Sequence, residues 1–105
     1  MYMITLDKPL SFDWDSGNIK KNLLKHGVTN KECEELFDCP DKRILNDKTH
    51  SLKERRYIII GETYKKRYLY LVFTLRGQKI RVMSVRDLNK KEYHLYEKRT
   101  KNTKI

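Results

Sequence analysis

The sequence predicts an α+β fold: two short helices early, an antiparallel β-sheet through the middle, and one closing helix. Three observations predict it. Helix punctuation is concentrated in residues 16–39, where Gly27 separates two apolar-periodic runs and Thr29-Asn30-Lys31-Glu32 opens the second. From Arg43 the hydrophobic period changes to that of strands, and three closely spaced β-rich runs follow. Asn89-Lys90-Lys91-Glu92 then offers another reciprocal helix start. A chain of 105 residues suits one domain with a single modest core.

Taken in order, residues 1–6 alternate weakly, with Tyr2, Ile4 and Leu6 against Met3 and Thr5, and predict a short strand that Pro9 ends. Residues 12–14 predict a second extended piece. Asp15 or Ser16 caps the next helix, on which Ile19, Leu23 and Leu24 share the apolar face. Gly27 takes the left-handed C-terminal cap. The second helix starts at about Asn30, buries Cys33, Leu36 and Phe37, and stops at Pro40. Residues 43–46 form a short strand, and residues 57–60, β-branched and bounded by Gly61, a well-buried one. Residues 68–74 set Leu69, Leu71 and Phe73 on one face, with Tyr68, Tyr70 and Val72 on the other. Arg76-Gly77 turns the chain and residues 79–85 return, which makes an antiparallel meander the economical topology. Period two puts Arg81 with Met83 and Val85, opposite Ile80, Val82 and Ser84, so a bend at the strand end is needed to redirect Arg86 to the cleft of Arg81. The last helix carries Tyr93 and Tyr96, and the basic run 98–104 reads as a frayed tail.

The charge balance narrows the partners. Lys and Arg number 24 against 14 Asp and Glu, a formal net charge of +10. That excess points to a polyanion, because phosphate contacts release counterions, although an acidic protein or an anionic membrane surface uses the same charge. Cys33 and Cys39 are too few for a disulfide framework and lack the second ligand pair of a structural zinc site, so they read as reduced, partly buried thiols. No apolar run approaches the roughly 18 residues of a membrane span. The N-terminus has no signal-peptide layout, which makes the cytoplasm the expected location. No P-loop, dinucleotide turn, HExxH helix or GxSxG elbow is present. Asp13, Asp15 and Asp38 are scattered over helix ends and suit capping better than two-metal chemistry.

A small basic protein can cleave RNA without a metal or other cofactor. The 2′-hydroxyl attacks the adjacent phosphorus, so the site must align it, stabilise phosphoryl charge and manage two proton transfers. Arginine suits the charge because its planar fork holds two phosphate oxygens, and histidine suits proton transfer near neutral pH. Arg81 and Arg86 share one strand and its exit, and antiparallel pairing brings Arg55 and Arg56 near them. The same alternation equally describes the wet face of a half-exposed sheet. His26, beside Gly27, is either a plain helix-end residue or a proton-transfer group favoured by the helix dipole. His50 and His94 read as solvated. Tyr64, Tyr68 and Tyr70 either pack or stack on unpaired bases.

An ordered set of motifs resembles the BrnT family, the toxin half of a bacterial type II toxin–antitoxin pair. The set is Phe12-x-Trp14-Asp15, Asn22-x-x-Lys25-His26-Gly27-Val28, Glu54-Arg55-x-Tyr57-x-x-x-Gly61, Thr74-x-Arg76 and Arg81-x-x-Ser84-x-Arg86, with Glu92 and Tyr96 fitting the closing helix. It spans about residues 12–98. The resemblance implies a compact RelE-like fold and one toxin domain over 1–105, with residues 1–10 as an N-terminal extension and 99–105 as a basic tail. It implies an endoribonuclease that slows growth by degrading cellular RNA. It also implies a ribbon-helix-helix, BrnA-like antitoxin, whose hetero-oligomer with the toxin binds operator DNA through the antitoxin. Carried onto these motifs, His26, Arg55 and Arg86 become catalytic candidates, and Lys25, Arg76 and Arg81 RNA-binding ones. Two departures stand out: Val85 follows Ser84 where alanine is frequent, and Asp87 sets a carboxylate beside Arg86, which either weakens phosphate binding or pairs with that arginine. The alternative function is a noncatalytic basic module docking RNA or an acidic protein. A DNA-binding role lacks a recognition helix.

Overall fold

A computed structural model describes residues 11–47 and 54–103; the strand expected in residues 1–6 and His50 lie outside the described residues. The elements are β1 (Ser11–Phe12), α1 (Lys21–His26), α2 (Asn30–Asp38), β2 (Arg43–Asn46), β3 (Arg56–Glu62), β4 (Tyr68–Arg76), β5 (Lys79–Asp87) and α3 (Lys90–Thr103). They build an α+β fold around a five-stranded sheet in the order β1-β5-β4-β3-β2. From β3 to β5 the sheet is the expected antiparallel meander, and β2 extends it by pairing antiparallel with β3. It is nevertheless mixed rather than antiparallel, because β1 pairs parallel with β5 through Ser11↔Lys79 and Phe12↔Ile80. Nearly the whole domain separates these strands in sequence, so hairpin geometry does not dictate their direction.

One face of the sheet carries the core. Ile59, Leu69, Leu71, Phe73, Ile80, Val82 and Val85 are buried with Val28, Cys33, Leu36, Phe37 and Ile44. Phe37 joins α2 to this face by edge-on contacts with Phe12 and Phe73, at centroid distances of 5.3 and 5.1 Å. Helix α2 begins where its chemistry demands: Thr29 Oγ1 accepts from the Glu32 amide, and Glu32 Oε1 accepts from the Thr29 amide. Trp14 fastens the chain after β1 to the same helix by donating its indole N–H to Glu34, 2.8 Å away.

The structure departs from the sequence reading in α1 and β5. Helix α1 and the turn before it are turned inside out relative to the apolar periodicity: Asn18 and Asn22 are buried, whereas Ile19, Leu23 and Leu24 are 42%, 53% and 83% exposed. Their inward side meets a sheet edge, not a core. Beyond the two residues of β1 the edge of β5 is open, and Asn18 Nδ2 and Lys21 Nζ donate to the carbonyls of Val82 and Met83. Asp15 does not cap the helix. Its carboxylate accepts from the Gly17 amide within the preceding turn, and α1 starts after Lys20 with no side-chain cap. Gly27 ends it as expected, at φ 65°, and hands the chain to fully buried Val28.

Strand β5 changes face midway. Phe73 pairs with Val82 and Val72 with Ser84, so Met83 is an extra residue opposite no partner. Core-facing positions therefore run Ile80, Val82, Val85. Val85 does not share the face of Arg81. Arg86 does, and no terminal bend is required to bring it there. Helix α3 continues through Thr103, taking in most of the run expected to fray.

Candidate active site at the exit of strand β5

The face of the sheet opposite the core is basic and aromatic. Register sets Arg56, Thr74 and Arg81 in one row, Val72 and Ser84 in the next pair, and Tyr70 and Arg86 in another. Counted along β5, Arg81 and Arg86 stand roughly 15 Å apart. The six candidate residues accordingly fall into two groups.

The first group lies at the exit of β5. Arg86 spreads its guanidinium over the Tyr70 ring, with Cζ 4.2 Å from the centroid. Two parallel bonds to Glu92, of 2.7 and 2.9 Å, fix its plane. Glu92 is itself immobilised, because it completes the Asn89 cap that starts α3. Hydrogen bonding to Arg86 holds the Glu92 carboxyl below its ordinary range, so it is ionised at neutral pH. The Arg86 side chain remains 41% exposed. Burial pushes the Tyr70 phenol up, which keeps it protonated. A shallow pocket of about 310 Å³ opens alongside, between Tyr68, Asp87, Leu88, Asn89, Lys90 and Tyr93.

His26 reaches this group through Arg67, a residue the sequence reading passed over. Arg67 donates to the His26 and Gly27 carbonyls at 3.1 and 2.9 Å and grips Asp87 through two bonds of 2.7 and 3.0 Å. It also approaches Glu32 of the α2 cap at 3.4 Å. One guanidinium thus joins the end of α1, the start of α2 and the end of β5. Asp87 is neutralised by Arg67 and not by Arg86, whose only link to it is a 3.2 Å bond to the backbone carbonyl. The Arg67 hydrogen bonds hold the Asp87 carboxyl below its usual value, with a further contribution from the charge of His26. Lys25, like His26, is exposed on α1.

The second group lies at the other end of the sheet. Arg81 is held by Asp15 through bonds of 2.8 and 3.2 Å, with Asp13 3.7 Å away. Arg76 meets Glu54 at 3.4 Å. Arg55 precedes β3 and is exposed, and its carbonyl accepts from the Thr74 hydroxyl; Arg56, not Arg55, occupies the row of Arg81. Arg86 lies at one end of β5, where Arg67 ties the His26 carbonyl to Asp87 on the opposite face of the strand, and Arg55, Arg76 and Arg81 lie at the other end. Tyr64 is committed to Asp38 and Tyr68 packs against Tyr93 and Tyr96, which leaves Tyr70 as the aromatic beside the arginines. His94 is exposed on α3.

A cationic sheet face with an arginine laid over a tyrosine defines a small basic protein equipped to handle a phosphodiester backbone. The chain belongs to the BrnT family: residues 14–92 match the family model described as ribonuclease toxin, BrnT, of type II toxin-antitoxin system. It is thus a ribonuclease toxin, with RNA as substrate and an antitoxin as partner. No curated protein matches the chain.

Proposed function

We propose that the chain is a metal-independent endoribonuclease that acts in the cytoplasm, inhibits growth by cleaving cellular RNA, and does so from the exit of β5 on a RelE-like, single-domain fold. The observation that carries this reading is Arg86, oriented by Glu92 over Tyr70 at the exit of β5. A base stacked on Tyr70 brings its phosphate to the exposed side of the Arg86 fork. As the 2′-oxygen attacks, charge grows on the phosphoryl oxygens, and a guanidinium already fixed in place stabilises it without reorganising. His26 exchanges the protons of the attacking hydroxyl and the leaving oxygen, and Lys25 holds the backbone beside it.

Arg55, Arg76 and Arg81 extend the cationic face about 15 Å along the sheet, which supports roles in holding the strand on either side of the scissile bond. Arg55, a catalytic candidate by its motif, serves this reading as a phosphoryl contact reached by the flanking RNA. The partner is a ribbon-helix-helix antitoxin of the BrnA kind, and the hetero-oligomer binds operator DNA through that antitoxin. The test is cleavage of a defined RNA by the purified chain in excess chelator, beside Arg86→Ala. Cleavage that survives chelation and falls at least ~100-fold with the substitution is the expected result. Chelator-sensitive cleavage, or full activity of both Arg86→Ala and His26→Ala, refutes the mechanism.

A further inference from the structure

Helix α1 exposes what a helix ordinarily hides. Across α1 and the turn before it the inward positions are polar, Asn22 and Asn18, and Asn18 donates to the Val82 carbonyl at the edge of β5. The outward positions are Ile19 in that turn and Leu23 and Leu24 on the helix. Three large exposed aliphatic side chains within six residues form the kind of surface that marks a protein contact, whereas scattered exposed leucines do not. Aliphatic side chains offer nothing for a base to stack on, so this stripe does not extend the RNA surface. Its surroundings are cationic: Lys20 lies between Leu23 and Leu24 by helical spacing, and Lys25 and His26 close the C-terminal end.

We infer that the Ile19-Leu23-Leu24 stripe is the docking surface for the antitoxin, which covers it with an apolar segment flanked by carboxylates. The inference rests on the toxin–antitoxin pairing and is independent of the catalytic roles given to His26 and Arg86. Charge complementarity selects this occupant over a second copy of the chain. A copy would bring Lys20 and Lys25 against lysines of its own, on a chain of net charge +10, whereas a carboxylate-bearing segment neutralises them. The location also accounts for neutralisation: a segment lying on α1 reaches its C-terminal end at His26, so docking shuts the site without any contact to Arg86.

The test compares the full-length chain with Leu23→Glu/Leu24→Glu and with Lys20→Glu. All three positions are exposed, and glutamate keeps a helix former there. Each protein is titrated with the purified cognate antitoxin, and cleavage of free RNA is measured in parallel. The double variant is expected to bind the antitoxin about 100-fold more weakly, as loss of a hot-spot pair does, and to cleave RNA at the unsubstituted rate. Lys20→Glu is expected to weaken binding about tenfold and to reduce its salt dependence. Antitoxin affinity within threefold of the original in the double variant overturns the inference, as does an unsubstituted chain that does not bind the antitoxin. A concentration-dependent dimer abolished by the double substitution, with antitoxin affinity intact, reassigns the stripe to self-association. Failure of the unsubstituted chain to cleave RNA while antitoxin binding follows the stripe refutes the proposed catalysis and leaves this inference standing.

Discussion

Replacing Arg67 with methionine keeps the length of the side chain and removes every polar bond it makes. Two of those bonds satisfy the last carbonyls of α1, at His26 and Gly27. Each is charge-assisted but partly solvated, worth about 1 kcal/mol. The pair with Asp87 has ideal two-bond geometry, yet Asp87 is 59% exposed, which limits its share to under ~1 kcal/mol. The sum is a loss of about 2–3 kcal/mol, or a Tm lowered by roughly 10–15 °C for a domain of this size. The share from Asp87 carries a pH signature. Its folded-state pKa is depressed below the ordinary 3.8, chiefly by the Arg67 bonds. That share is therefore complete above the unfolded value and is lost as pH falls through the folded one. Urea melts at pH 7, 5 and 3 should show the gap between the two proteins narrowing at pH 3 while the carbonyl share persists. Arg67→Lys, which keeps the charge without the fork, should recover less than half of the loss. A gap below 0.5 kcal/mol at pH 7, or one that widens on acidification, refutes the assignment of Arg67 as the tie between α1 and β5.

Gly27→Ala should cost about 1 kcal/mol in urea melts, because φ at this position is 65° and the left-handed region strains a side chain whatever space surrounds it. Leu36→Ala removes a fully buried side chain of α2 and should cost about 2–5 kcal/mol by the same assay. Burial pushes the Cys33 thiol up to about 12, so it should resist a thiol reagent at pH 8 in the folded protein and react once urea unfolds it. Tyr70→Phe should cleave RNA at near the original rate, since stacking needs the ring, whereas Tyr70→Ala should lose roughly tenfold or more in kcat/KM.

The legible parts of the sequence were those where local chemistry and tertiary packing agree. The Thr29–Glu32 box, the Gly27 cap and the three strands of the meander each state their own conformation, and the structure contains them. Helix α1 was misread because periodicity reports which residues share a face, not what that face meets. A sheet edge with open carbonyls wants amide donors such as Asn18, and the apolar side is then left outside. Arg67 was missed because Lys65-Lys66-Arg67 resembles any solvated basic turn. The available signal was register: the start of β4 faces the exit of β5, so an arginine just before Tyr68 arrives beside Asp87. The site residues were legible as types and motifs. Their division into two groups was not, because it depends on where along each strand they pair.

The extra residue at Met83 gives β5 something like a reading frame. Upstream of it the odd positions look outward, and downstream the even ones do. Substitutions can change what a position contributes but not which way it looks, and the bulge lets the strand absorb a change in length as well. A chain lacking Met83 alone would bring Val82 and Ser84 into ordinary alternation opposite Phe73 and Val72, so Val85 would still face the core and Arg86 would still look outward. Arg86 is thus protected by slack as much as by chemistry: the residue of this strand that pairs with nothing is the one whose loss leaves every arginine on its face.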